Sequence, residues 1–99
     1  MKGYLVLGLL VCATSASAGA PPPARYDHRP TVAVEEHIAT SDRVYKICHE
    51  KFPDIPSGGL IFGCAHREKG KCVVIRIDDA SVQRHEYGHC NGWPADHRR

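Results

Sequence analysis

Four cysteines dominate what this chain can fold into: Cys48, Cys64, Cys72 and Cys90 all lie between its middle and its end. A fifth, Cys12, falls in a stretch that reads as a removable export signal, with Met1 and Lys2, an apolar run from Tyr4 to Ala13, then Thr14-Ser15-Ala16-Ser17-Ala18. A basic start, a short apolar segment and an Ala-x-Ala site fit secretion, with cleavage after Ala18. The apolar run is about 10 residues, against roughly 20 needed to span a bilayer, so no membrane segment is expected after processing. Val11 is too bulky for a lipoprotein site before Cys12. Four remaining cysteines in a small exported chain imply two disulfides. A four-cysteine zinc site is disfavoured because no two cysteines are spaced C-x-x-C.

Removing residues 1–18 from 99 leaves 99 − 18 = 81. A chain of that size builds one modest core, which excludes paired catalytic lobes and nucleotide-binding folds of usual size. Each disulfide adds about 2–4 kcal/mol to such a core. Formal charge is +2 from 13 basic and 11 acidic residues, and loss of Lys2 leaves 12 − 11 = +1. That balance gives no electrostatic case for a nucleic-acid partner or an anionic membrane. A monomer is expected, located in the periplasm or secreted.

Residues 19–30 carry Pro21, Pro22, Pro23 and Pro30 and read as an extended leader, a spacer outside the core. Residues 31–99 form the single domain. Within it, Val32 and Val34 alternate in a short strand over Thr31–Ile38. Ser41 looks like a helix cap, followed by Asp42 in the first turn. Val44, Ile47, Cys48 and Lys51 then share one face of an amphipathic helix that stops before Pro53. The lone His49 on that helix is expected to be solvated or hydrogen-bonded. After the turn signal Pro56-Ser57-Gly58-Gly59, the apolar Leu60–Ala65 and the β-branched Cys72–Ile77 flank a polar stretch, His66–Lys71, and read as a β-hairpin. Centring the turn on residue 68 puts Cys64 opposite Cys72, which favours that bridge and leaves Cys48 to join Cys90. Asp78 and Asp79 open a last helix, Ala80–Cys90, with Gly92 as its stop and Pro94 preventing continuation. The expected fold class is α+β.

The last helix contains His85-Glu86-Tyr87-Gly88-His89, an H-E-x-x-H pattern. Residues four apart lie one turn apart on the same helix face, so His85 and His89 can offer imidazole nitrogens to one ion. Glu86 lies about 100° round the helix, placed to take a proton from a metal-bound water. With seven His and five Glu in 99 positions, composition alone gives about 0.02 such matches. Gly88 costs about 1 kcal/mol inside a helix, so a close neighbour is expected against it, and Tyr87 is expected to enter the core. A catalytic zinc needs a third protein ligand and one open position. His97, reached after a reversal at Asn91-Gly92-Trp93-Pro94, is the candidate. Asp96 is the rival, or else orients a ligand histidine. Arg98 and Arg99 read as a solvated tail.

His85 through Gly92 resembles the zincin metallopeptidases, and H-E-x-x-H-x-x-G matches the start of the metzincin motif. The resemblance implies a minimal zincin-like fold, one zinc ion, water attack on a peptide bond and Glu86 as the base. Two departures stand out: where metzincins place their third His this chain has Ala95, and its only methionine is Met1. The run His89-Cys90-Asn91-Gly92-Trp93-Pro94-Ala95-Asp96-His97 is similar to small exported bacterial proteins described as metallopeptidases.

The expected activity is therefore hydrolysis of a peptide or protein substrate, held by strand addition along Leu60–Ala65. His66, Tyr45 and Arg67 are weak candidates for stabilising the tetrahedral intermediate. The competing classes are an exported non-catalytic zinc-binding module and a disulfide-stapled interaction protein without metal.

Overall fold

The computed structural model describes residues 20–53 and 61–99. The expected export signal, the expected turn at Pro56–Gly59 and Leu60 lie outside the described residues. Among the described residues, three strands, β1 (Ala33–Ile38), β2 (Gly63–Glu68) and β3 (Lys71–Arg76), and two α-helices, α1 (Ser41–Lys51) and α2 (Ala80–Cys90), make a small α+β fold. The sheet order is β1-β3-β2, with β3 parallel to β1 and antiparallel to β2.

The central strand explains the sheet. Cys72, Val73, Val74 and Ile75 are all buried, which is how a strand covered on both faces reads: a continuous apolar run rather than an alternation. Val73 and Ile75 face α1 and pack with Val44, Cys48 and Cys64, flanked by Ile47, Phe52 and Ile77. Cys72 and Val74 face α2 and pack with Tyr87 and Cys90, flanked by Val32, Val34 and Ala65. The sheet therefore divides two small cores, one under each helix. Helix α1 is capped by Thr40 rather than Ser41, with no side-chain bond. Helix α2 has the expected bounds, and the Asp79 side chain accepts from the amides of Ser81 and Val82, satisfying two of the four free N–H groups of the first turn.

The hairpin register overturns the expected disulfide pairing. The bridges are Cys48–Cys64 and Cys72–Cys90, not Cys64–Cys72 and Cys48–Cys90. His66, Arg67 and Glu68 belong to β2, and the chain reverses over Lys69-Gly70, with Gly70 at φ +77, a left-handed conformation that glycine adopts without a steric penalty. Cys64 is then opposite Ile75, and Cys72 opposite Arg67. The slip from the expected register is three residues, an odd number, so the two sulfurs point to opposite faces of the sheet. Each bridge staples one helix to the face that it covers.

The proline-rich leader is not a free spacer. Pro22 and Pro23 are buried, and a short 3-10 turn follows at Ala24–Tyr26. This strap lies against α2. Arg84 pairs with Asp27, and the Asn91 side-chain amide donates to the carbonyls of Tyr26 (2.8 Å) and His28 (2.7 Å). Gly88 is the reason the strap can approach: a Cβ there would stand 2.6 Å from Pro22 Cβ.

Candidate metal centre

Four rows run along α2, and each has its own neighbour. Val82 and Glu86 meet β2 at Gly63. Gln83 and Tyr87 reach Glu36 of β1, with Tyr87 donating its hydroxyl to Glu36 at 2.8 Å. Arg84 and Gly88 meet the strap. His85 and His89 face the C-terminal loop. The histidine row thus lies between the strap and the Glu86 row, as helical spacing requires.

The loop that carries His97 is built around Trp93. The amide of Trp93 donates to Gly88 O (3.0 Å), and Gly92, at φ +107, allows the reversal. Trp93 is 3% exposed. Its ring stacks on His89 at 4.9 Å and meets His85 and His97 edge-on, while its indole N–H donates to Arg98 O (3.0 Å). His97 itself is left-handed at φ 60, a conformation that costs a non-glycine residue about 1 kcal/mol or more and persists only where its surroundings enforce it. The enforced turn aims the ring at its two partners.

The three imidazoles converge. Nε2 of His97 is 3.0 Å from Nε2 of His85 and 3.1 Å from Nε2 of His89. One nitrogen from each of the three lies within 4.8 Å of the others. Nδ1 of His85 is 2.7 Å from Ala20 O, and Nδ1 of His89 is 2.8 Å from Trp93 O. A carbonyl accepts only, so both Nδ1 atoms carry the proton and both Nε2 atoms present lone pairs. His97 Nε2 has one hydrogen at most and cannot satisfy both neighbours. A cation can, and ligand nitrogens about 2.0–2.1 Å from a tetrahedral ion stand about 3.3 Å apart. The donor set therefore fits a metal ion.

Electrostatics favour the same state. Burial lowers His85, opposed by the Ala20 carbonyl and reinforced by His97. Burial takes His89 down to about 4, against the Trp93 carbonyl and with help from His85 and His97. His97 is also lowered by burial, with Asp96 opposing. All three rings are neutral near pH 7, the form that ligates. Glu86 is 5% exposed, and burial alone pushes its carboxyl up to about 8.

Other expected residues lie elsewhere. Asp96 stands outside the histidine group; its Oδ1 accepts from the Arg98 amide at 3.2 Å. Arg99 is tied to Pro21 O at 3.1 Å. Tyr45, on α1, pairs with His49 at 4.2 Å, and His66 meets Phe52 at 5.5 Å. Both therefore belong to the α1 side of the sheet, across from the three histidines. His49 is half-buried, and its Nε2 is buried with no hydrogen-bond partner among the described residues. Arg67 is exposed. No family profile, curated protein or solved structure matches the chain. Sequence reasoning missed Ala20, Asn91 and Trp93. The single tryptophan beside the motif was a signal available to it, whereas a backbone carbonyl in a leader was not.

Proposed function

We propose that this chain is a minimal, zincin-like peptidase exported from the cell, with one zinc ion held by His85, His89 and His97 and with Glu86 as general base. The observation that carries the reading is the convergence of Nε2 atoms from His85, His89 and His97, two of them on the row of α2 next to the one that holds the buried Glu86. When bound, zinc supplies a Lewis acid that acidifies water and polarises a carbonyl. His85 and His89 contribute neutral nitrogens already oriented by carbonyl partners. Burial raises Glu86 to about 8 in the metal-free chain; a cation beside it would favour the charged carboxylate, the form that takes a proton from water.

Substrate is held along β2. Among the described residues β2 pairs with β3 alone. Ile77 N bonds Phe62 O at 3.0 Å, so the alternating ladder turns the backbone groups of Gly63, Ala65 and Arg67 outward, where an extended peptide can add as a strand. Gly63 abuts Glu86: a Cβ there would lie 3.0 Å from Oε2. A peptide on this edge therefore passes the proposed base. The two disulfides agree with an oxidising compartment.

A second reading, a zinc-binding module without catalysis, is favoured by one observation: Tyr45 and His66, two candidates for stabilising a tetrahedral intermediate, are on the far side of the sheet. Glu86→Gln separates the readings. The variant should bind zinc as the parent does and lose hydrolysis of a broad peptide library by at least about a hundredfold. Equal turnover in both forms removes Glu86 from the mechanism, and a zinc-loaded parent that cleaves nothing in the library leaves the binding module.

A further inference from the structure

We propose that the strap Ala20–His28 is a working part of the metal centre: it fixes the tautomer and orientation of His85, so that strap docking and metal capture are one linked equilibrium. The inference rests on the metal-site reading above and adds its regulation.

The two helix histidines are oriented by different means. His89 leans on Trp93 O, four residues further along the chain, in the loop that follows its own helix. His85 leans on Ala20 O, 65 residues away in the chain. Among the described residues Ala20 O is the partner of that nitrogen, so the Nδ1–H tautomer of His85, which leaves Nε2 free to ligate, depends on a remote segment. The strap is held there by four independent anchors. Pro22 fills the space that Gly88 leaves. Asp27 pairs with Arg84. Asn91 donates to Tyr26 O and His28 O. Arg99 donates to Pro21 O. Three of these anchors, Arg84, Gly88 and Asn91, lie on or just beyond α2, interleaved with the ligand histidines. The fourth lies two residues past His97. The fold therefore spends contacts from both ligand-bearing segments on placing one carbonyl.

Partners that orient a metal ligand change metal affinity by about 10–100-fold when removed. Linkage makes the effect reciprocal: if docking the strap tightens metal binding by a given factor, metal tightens docking by the same factor. Release of the strap, by proteolysis or by a competing partner for α2, then releases the ion.

Arg25 provides the readout, being exposed within the strap. The disulfide-bonded full chain is digested with trypsin under native conditions, with and without zinc, and cleavage between Arg25 and Tyr26 is followed by mass spectrometry. Zinc should slow that cleavage about tenfold or more. Asn91→Ala and Asp27→Ala, each cutting a different anchor, should speed it and raise the zinc Kd by about the same factor. In the metal-free chain, imidazole 15N shifts should show a single Nδ1–H form for His85 that becomes mixed in both variants, while His89 is unchanged. Tight zinc binding with zinc-independent cleavage, or an unaltered His85 in both variants, overturns the linkage and leaves the metal site standing. Absence of zinc binding in the parent chain overturns both.

Discussion

The two disulfides close rings of nearly equal size, with cysteines 16 and 18 residues apart, yet they hold opposite sides of the sheet. Loop-closure entropy assigns each about 3 kcal/mol, and all four cysteines are buried, so the packing lost on truncation is also similar. A folded chain of about 80 residues has roughly 4–12 kcal/mol to lose. Replacing one pair by alanine (Cys48→Ala with Cys64→Ala, or Cys72→Ala with Cys90→Ala) should therefore give two folded proteins with about equal losses in urea unfolding of the metal-free state. Their zinc affinities should part. Cys90 follows His89 at the end of α2, whereas Cys48 is on α1, across the sheet from the three histidines. If half of the lost constraint falls on α2, about 1.5 kcal/mol, zinc should bind roughly tenfold more weakly to the Cys72/Cys90 variant. The Cys48/Cys64 variant should bind as the parent does. Competition with a chromophoric chelator measures both. Equal weakening in the two variants, with both shown folded by circular dichroism, would refute the picture of two cores separated by the sheet.

Other outcomes follow from single contacts. His97→Ala should weaken zinc far more than Asp96→Ala, because only His97 belongs to the converging group; the reverse order in chelator competition would exchange the ligand assignment. Gly63→Ala forces Val82 Cγ1 and Glu86 Oε2 from contacts of 2.9 and 3.0 Å; it should cost about 1–3 kcal/mol in urea unfolding and reduce hydrolysis while zinc still binds. Glu36 carries a network in which burial raises its pKa but hydrogen bonds from Arg76, Gln83 and Tyr87 outweigh it, for a net lowering. Its contribution is thus present above its unfolded value near 4.5 and fades as pH falls below that. Glu36→Gln should cost roughly 2 kcal/mol at pH 7 and flatten the acid limb of a pH–stability profile.

Elements announced by local chemistry were legible in the sequence. Asp79, the motif spacing and Gly92 define α2 to its bounds, and the row Val44–Cys48 defines the buried face of α1. The convergence of His85, His89 and His97 was also legible, because helical spacing and a glycine reversal confine it. The disulfide pairing was not. It depends on the parity of the hairpin register, which Lys69-Gly70 decides and the polar run His66–Lys71 conceals, since an exposed strand can be as polar as a turn. The strap was hidden for another reason. Proline content marks an extended segment, but whether it floats or docks depends on a complementary surface, here Gly88 and Asn91, more than 60 residues downstream.

The full encirclement of α2 also bears on how such a protein can diverge. A helix with neighbours on every row leaves little latitude: of its residues only Ala80, Ser81 and Arg84 are exposed, and Arg84 is engaged by Asp27. Helix α1 exposes Ser41, Asp42, Arg43, Lys46, Glu50 and Lys51, and none of these positions touches the histidine centre. Drift, tagging and grafting of new surfaces can accumulate on that outer helix while the imidazole cluster behind the sheet keeps its shape.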